Sequence, residues 1–226
     1  MLRRILCFVL VALLAVPLVE ATPLADAKLK KKVVTKTFSN FNVITIPGAG
    51  NEGPASPYPS AINVGGLKKA KILDVNVTLR NFNHTDPDEV DVLLVASHLP
   101  GRTATILSDV GNTDAINATL FIDDEAPLPT QNDAIVSGAF QPNNGGAFVD
   151  PFPAPAPIPS GNALLNVFDG GRANGQWQLF IVDDAMADTG NFAGGWSIQI
   201  KAQVKEKVKK KGGGKGHGKG KKGKRD

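Results

Sequence analysis

The sequence is poor in the residues that most often carry chemistry. Its single cysteine, Cys7, lies near the N-terminus, only three histidines are present, and aromatic residues make up 6% of the chain. The region after Cys7 contains no thiol, which excludes disulfide bonds, cysteine nucleophiles and cysteine-based zinc sites there. Its stability must therefore come from a buried core, with bound ions as a further source.

Long apolar runs are also missing, except at the N-terminus. There Arg3 and Arg4 precede an apolar run over residues 5–19, and small residues follow it. This order is typical of a secretory signal peptide, and the run is shorter than the ~20 residues of a membrane-spanning helix. We expect a signal peptide over residues 1–21, with residue 27 as an alternative end and an uncleaved anchor as the alternative interpretation. The mature protein would then be secreted and extracellular, without a membrane span.

Charge is divided unevenly along the chain. Residues 37–200 contain six basic and seventeen acidic residues, a formal net charge of −11. Residues 201–226 contain twelve Lys or Arg against two acidic residues, a net charge of +10. The net charge of +4 for the whole chain therefore describes neither region.

Alternating apolar residues predict β-strands. In residues 71–80, Leu73, Val75, Val77 and Leu79 alternate with polar side chains, which indicates a half-buried strand and rejects an amphipathic helix. Similar runs recur with turn signals between them, at residues 38–47, 91–97, 103–107, 118–122, 134–140, 176–182 and 196–200. This spacing predicts an all-β fold, a jelly-roll-like antiparallel β-sandwich.

Two terminal segments flank the predicted domain, which spans residues 37–202. Residues 22–36 read as a basic N-terminal spacer, and residues 203–226 as a disordered Lys/Gly-rich tail. Within the domain, a proline-rich stretch over residues 141–161 predicts an extended path, and its Phe148 and Phe152 favour docking over a free linker. After it, residues 163–168 suit one helical turn or a strand.

Both tryptophans lie in residues 175–200, GQWQLFIVDDAMADTGNFAGGWSIQI, which we interpret as a hairpin of two alternating runs. We expect Trp177 and Trp196 to fill the space between the two sheets. The glycines between the runs would permit the bends.

Five stretches in order, DEVDVLLVASHLPGR, TLFIDDEA, GAFQPNN, NGQWQLFIVDD and TGNFAGGWSIQI, resemble the P/Homo B domain of subtilisin-like proprotein convertases. Its most specific pieces are Asp91-Val-x-Leu with a Gly101 turn, Gly175-x-Trp177-x-Leu179, and Gly190 leading to Gly195-Trp196-Ser197. The resemblance covers about residues 38–200. It implies a jelly-roll sandwich that stabilises and tunes a protease domain without cutting. The chain departs from the family at His98, where a Ser-Pro-x-Gly turn is typical, and this sequence holds no protease domain beside the module.

The residues offer little support for catalysis. Of the three histidines, His217 lies in the tail, His84 in a turn rich in Asn and Asp, and His98 directly after Ser97. Neighbours on an extended chain point to opposite faces, so Ser97 and His98 would not act as a nucleophile and its base. No Gly-x-Ser-x-Gly elbow is present, and Ser137 follows Ile-Val instead. The sequence therefore predicts no enzyme.

Clustered carboxylates point to calcium as the one candidate cofactor. Acidic residues gather in the turns at 86–91, 123–125 and 183–188, and flexible acidic turns can supply the oxygens that calcium prefers. The preference of Asp for turns is the alternative explanation. Asp91 is the preferred ligand because it opens a central strand, with Asp88 and Asp183 behind it.

Together these observations predict a secreted, non-catalytic β-sandwich module that binds or stabilises a protein partner. One alternative is an accessory to a separately encoded subtilisin-like serine endopeptidase. Another is binding of an anionic polymer or cell surface through the Lys/Gly tail, because lysines spaced by glycine can follow negative charge without fixed geometry. The tail has no aromatic residue for base stacking, which argues against sequence-specific nucleic-acid binding.

Overall fold

A computed structural model of the chain describes residues 29–67, 69–129, 133–145 and 150–207. These residues form strands and two short 3₁₀ helices, Pro87–Glu89 and Leu165–Phe168, with no α-helix among them. The strands are β1 (Leu29–Asn40), β2 (Ile44–Ile46), β3 (Gly53–Pro54), β4 (Ser60–Val64), β5 (Lys71–His84), β6 (Val90–Ala96), β7 (Thr103–Ser108), β8 (Ala115–Ile122), β9 (Gly138–Phe140), β10 (Asn143–Asn144), β11 (Gly175–Asp183), β12 (Gly190–Phe192) and β13 (Trp196–Lys207). The predicted all-β sandwich is confirmed.

The strands form two sheets that pack face to face. In the first sheet β5 is central, with β13 and β1 beside its first half, β12 and β2 beside its second half, and β8 and β9 on its other edge. The second sheet runs in the order β10-β7-β6-β11, with β4 and β3 along the far edge of β11. The pairs β7–β10 and β8–β9 are parallel, and the other pairs are antiparallel.

Both tryptophans are fully buried in the core between the sheets, as predicted. The interpretation of residues 175–200 as one hairpin is wrong, however. Trp177 lies on β11 in the second sheet and Trp196 on β13 in the first, so the chain passes from one sheet to the other between the two residues. Gly195 permits the last bend, because its φ is +62° and a Cβ there would meet the carbonyl oxygens of Asn40 and Asn42.

The alternation predicted for β5 holds over most of the strand. Val75, Val77 and Leu79 face the core and are buried. Leu73 is 39% exposed, because the register between β5 and β13 shifts at Lys201 and leaves one additional residue on β5. A bulge of this kind turns a side chain to the opposite face, which alternation alone does not reveal.

The ordered domain extends beyond the predicted bounds of 37 and 202. Residues 29–36 of β1 pair with residues 200–207 of β13 in continuous antiparallel register. The predicted spacer is therefore in part a strand, since Val34 packs against the core while the lysines around it stay in water. We call these two paired segments the basic ribbon. The tail beyond residue 207, including His217, lies outside the described residues.

The proline-rich segment covers the outer face of the second sheet. Phe152 is buried there against Leu93 and Phe180, and the Tyr58 hydroxyl donates to the carbonyl oxygen of Pro153 at 2.9 Å. The predicted docking through Phe152 is confirmed, whereas Phe148 lies outside the described residues. Because this segment packs on them, the outer faces of β6 and β11 are apolar at Leu93, Val95, Phe180 and Val182.

Candidate metal centre

The strand ends of both sheets bring a group of acidic loops together, which we call the acidic end. They follow β5, β7 and β11, and contacts at Ser108 bring Asp150 to the same place. The sequence has no Lys or Arg between Arg80 and Arg102, between Arg102 and Arg172, or between Arg172 and Lys201, and the basic side chain that contacts a carboxylate here is His84. The carboxylates of the acidic end are Asp86, Asp88, Glu89, Asp91, Asp109, Asp150, Asp183, Asp184 and Asp188.

Asp91 is the most unusual residue of this group. It lies on β6, whose residues are all buried, and is itself only 2% exposed. Its Oδ1 atom is 2.7 Å from the hydroxyl oxygen of Ser108, and its Oδ2 atom is buried without a partner among the described residues. Leaving a buried carboxylate oxygen unpaired costs several kcal/mol as a rough magnitude. The ionised carboxylate of Asp91 would therefore be stabilised by a positively charged partner at its Oδ2 atom.

The Ser108 hydroxyl lies among three carboxylates. Its oxygen is 2.7 Å from Asp91, 2.7 Å from Asp150 and 3.1 Å from Asp109. When all three carboxylates are ionised, the hydroxyl can donate its one proton to only one of them, so the other two contacts place oxygen lone pairs against each other. Ligand oxygens of Asp91, Asp109 and Asp150 all lie within 4.8 Å of one another. A divalent cation among them would resolve both the crowding and the unpaired atom.

The charge state of this cluster reflects its burial. Burial raises the pKa of Asp91 to about 8, and the nearby Asp150, Asp184 and Asp109 add to the rise, whereas the Ser108 hydroxyl opposes it. In the absence of a cation, Asp91 thus exchanges a proton near neutral pH. A cation would displace that proton, because the ionised carboxylate is the metal-binding form.

A second acidic group adjoins the first. Ligand oxygens of Asp86, Glu89 and Asp188 lie within 4.8 Å of one another. Burial raises the pKa of Glu89 to about 7, with contributions from the negative charges around it, and its Oε2 atom has no hydrogen-bond partner among the described residues. The Asp184 backbone N–H donates to the Glu89 carbonyl oxygen at 3.0 Å, and the negative charge of Asp184 helps to raise the pKa of both Glu89 and Asp91. Negative charge is therefore concentrated across the whole end.

His84 does not lie in a surface turn, contrary to the prediction. It is 3% exposed, and its Nε2 atom is 3.3 Å from Asp183 Oδ2, with both side chains fully buried. Its Nδ1 atom is 2.7 Å from the carbonyl oxygen of Asp86. The chain reaches this position because β5 continues four residues past the predicted end at Arg80. His84 thus supplies a buried polar partner for Asp183 at the acidic end.

Of the three predicted metal ligands, the structure places only Asp91 in a cluster with free ligand oxygens. Asp183 is occupied by His84, and Asp88 is exposed and belongs to none of the carboxylate groups found among the described residues. The residues that accompany Asp91 are Asp109 and Asp150, which we did not predict. They lie 18 and 59 positions away in sequence. The pairing of β6 with β7 brings Asp109 near, and Asp150 reaches the cluster through its contact with Ser108 at the end of β7.

The third acidic turn, at 123–125, behaves differently. Asp123 and Glu125 lie near Asp74 on β5, within 4.8 Å. Lys201 faces Asp74 across the β5–β13 pair and partly offsets its charge. Asp124 instead accepts the backbone N–H groups of Leu165 and Asn166, both at 2.8 Å, at the start of the second 3₁₀ helix. In this turn Asp124 therefore has a structural role, in line with the preference of Asp for turns.

The residues weighed for catalysis are engaged in structural contacts. The Ser97 hydroxyl donates to the carbonyl oxygen of Gln176, and the two ring nitrogens of His98 contact the carbonyl oxygens of Arg172 and Gln176. The Ser137 hydroxyl accepts the backbone N–H of Thr119 at 2.9 Å. Among the described residues, no histidine forms a hydrogen bond with the side chain of either serine.

Comparison of the chain with protein-family models, with curated proteins and with solved structures gave no match. The resemblance to the P/Homo B domain therefore stays a prediction from the residues. In the described part of the chain, no helix has the length and apolarity to cross a membrane.

Proposed function

We propose that this chain is a secreted, non-catalytic β-sandwich binding module of the P/Homo B type, and that calcium holds its acidic end together. The supporting observation is Asp91, a buried carboxylate with an unpaired oxygen and two further carboxylates beside it. The module would present its loops to a protein partner, and calcium would give those loops a defined shape.

Calcium suits this site better than other metals do. Asp91, Asp109 and Asp150 offer carboxylate oxygens, Ser108 adds a hydroxyl oxygen, and no sulfur or free imidazole is part of the cluster. Calcium prefers hard oxygen ligands and tolerates an irregular arrangement of them, such as buried Asp91 and Ser108 beside the partly exposed Asp109 and Asp150, whereas magnesium demands a stricter octahedron. Asp109, Asp150 and Asp91 would bind the ion directly. The charge of the ion would offset the mutual repulsion of these carboxylates.

Thermal unfolding in calcium and in chelator tests the proposal. With calcium at about a hundred times its Kd, the unfolding free energy should rise by about 2.7 kcal/mol, or about 5–10 °C for a domain of this size. Asp91→Asn keeps the shape of the side chain but removes its charge, so the response should largely disappear. Equal melting temperatures of the unmodified chain in calcium and in chelator would refute the calcium site.

Two further variants distinguish calcium binding at this site from general attraction of the ion by negative charge. Asp109→Asn should weaken calcium binding by about tenfold or more, equivalent to about 1.4 kcal/mol. Asp88→Asn is the matched control, because Asp88 is an exposed carboxylate of the same end outside the cluster. Isothermal titration calorimetry would measure both affinities. An equal loss in the two variants would mean that only net charge attracts the ion.

A further inference from the structure

The outer face of the basic ribbon and the start of β5 together carry lysines from three adjacent strands. In the antiparallel register, residues that pair across β1 and β13 share a face, and odd-numbered residues of both strands point away from the core. Lys31 lies opposite Lys205, and Lys201 follows four positions away on β13. Lys71 on β5 pairs with Gln203 and so joins the same face. The four side chains are thus held on one ordered surface.

None of these four lysines has a carboxylate oxygen within 4 Å among the described residues, and of the four only Lys201 faces an acidic residue across the sheet. Among the described residues, the one lysine–carboxylate pair within 4 Å is Lys32–Glu206 at 3.6 Å, and Lys32 belongs to the opposite face of the ribbon. Asp74, across from Lys201, is the nearest acidic position on the outer face. Like charges placed directly opposite each other in a sheet, as Lys31 and Lys205 are, destabilise the pairing. An external polyanion would turn this cost into a favourable interaction.

Protection of a sheet edge does not account for all of these lysines. Lysine on an edge strand prevents two sheets from joining, which suits Lys31 on the edge strand β1 and Lys205, which lies past the last residue of β13 that pairs with β5. Lys201, however, has β1 on one side and β5 on the other, and Lys71 pairs with β13 and forms a β-bridge to Arg172 on its other side. Two of the four lysines therefore lie where no free sheet edge needs protection.

The neighbouring side chains favour a polysaccharide over a nucleic acid. The outer-face positions between the lysines are Val33, Thr35 and Gln203, so no aromatic ring is available there to stack on a base. Lys201 and Lys205 are ~13 Å apart along the strand, and Lys31 and Lys205 ~5 Å apart across it. Such a two-dimensional array of ammonium groups matches a chain that carries several sulfates per repeat.

We propose that Lys31, Lys71, Lys201 and Lys205 form a binding surface for a sulfated polysaccharide. The proposal rests on the extracellular location included in the proposed function, but on a different surface from the calcium site. It assigns the binding to the ordered ribbon and not only to the lysines of the tail.

Heparin affinity of the full-length chain tests this surface. The outer-face variant Lys31→Gln/Lys201→Gln/Lys205→Gln should lower the slope of log affinity against log salt concentration by about 2, since each neutralised charge contributes about 0.7 on a flexible polyanion. The matched control is Lys30→Gln/Lys32→Gln/Lys36→Gln, which removes equal charge from the opposite face of the same ribbon. It should retain most of the affinity.

Three outcomes would overturn the proposal. Equal losses in both variants would show attraction by net charge alone, and unchanged heparin binding with increased aggregation would show that the lysines only keep copies apart. Tighter binding of single-stranded DNA than of heparin at the same salt concentration would assign the surface to nucleic acid. The melting response to calcium, measured on the same variants, should stay unchanged, so failure here is distinguishable from failure of the calcium site.

Discussion

The two ends of this sandwich differ in how their charges are held. At the acidic end the carboxylates converge, and the central one, Asp91, is 2% exposed. At the basic ribbon the lysines spread over a flat surface, and all of those described are exposed. Convergent, buried charge suits a small cation, whereas dispersed, solvated charge suits a long polymer. The arrangement of the charges therefore distinguishes the two ends better than their sign does.

The core lies between the two ends and should contribute to stability independently of both. Trp196→Ala removes a fully buried ring whose Nε1–H donates to the Ser60 hydroxyl at 3.0 Å. We expect a loss of about 3–5 kcal/mol in unfolding free energy, measured by urea denaturation. The loss should be the same with calcium and with chelator. A loss that depends on calcium would contradict the separation of core and acidic end, and a melting shift of only a degree or two would contradict the position of Trp196.

Stability should depend on pH through the acidic end and not through the ribbon. In chelator, Asp91 has a pKa near 8 in the folded state against an ordinary value of 3.8. Between these values the folded state binds more protons than the unfolded state does, so the unfolding free energy should fall as the pH rises from about 4 to about 8. Glu89, with a pKa of about 7, contributes in the same direction.

The variant Asp91→Asn sharpens this expectation. It should flatten the decline of stability with pH without abolishing it, because Glu89 still titrates. Melting temperatures in chelator at about pH 5 and about pH 8 would measure the difference. Saturating calcium should also remove most of the decline in the unmodified chain, since the ion displaces the proton. If Asp91→Asn declined as steeply as the unmodified chain, Asp91 would not be the titrating group.

The smallest effect is expected at the ribbon itself. Glu206→Gln removes the exposed pair with Lys32, whose two side chains are 59% and 58% exposed. The unfolding free energy should change by less than about 1 kcal/mol. Heparin affinity should nevertheless increase slightly, because the variant removes negative charge beside the lysines. A large destabilisation would mean that this pair holds the ribbon together.

The sequence predicted the layers of the fold better than its site. Alternation in Val75, Val77 and Leu79 identified a strand and its buried face, because a period of two is a local property. Asp91 could also be predicted as a member of the candidate metal site, since an acidic residue inside an apolar strand has little structural reason to be there. Asp109 and Asp150 could not, because strand order and a long loop bring them to Asp91, and neither is encoded in local spacing.

The misplaced residues have related physical causes. Leu73 points outward because of a bulge, and His84 is buried because β5 runs further than its apolar alternation. The hairpin interpretation of residues 175–200 was wrong for a similar reason, since two alternating runs look alike whether they pair with each other or face each other across a core. Alternation identifies the buried face of a strand, but it does not identify the strand with which it pairs.

The pairing of Leu29 with Lys207 has a consequence for attachment. The first and last residues of the described domain are therefore neighbours. The acidic end, with Asp91, lies at the opposite ends of the strands. A label or support joined beyond either terminus would thus hold the molecule by the same edge and leave the carboxylate loops pointing outward. Such a tether would leave those loops open to a soluble partner.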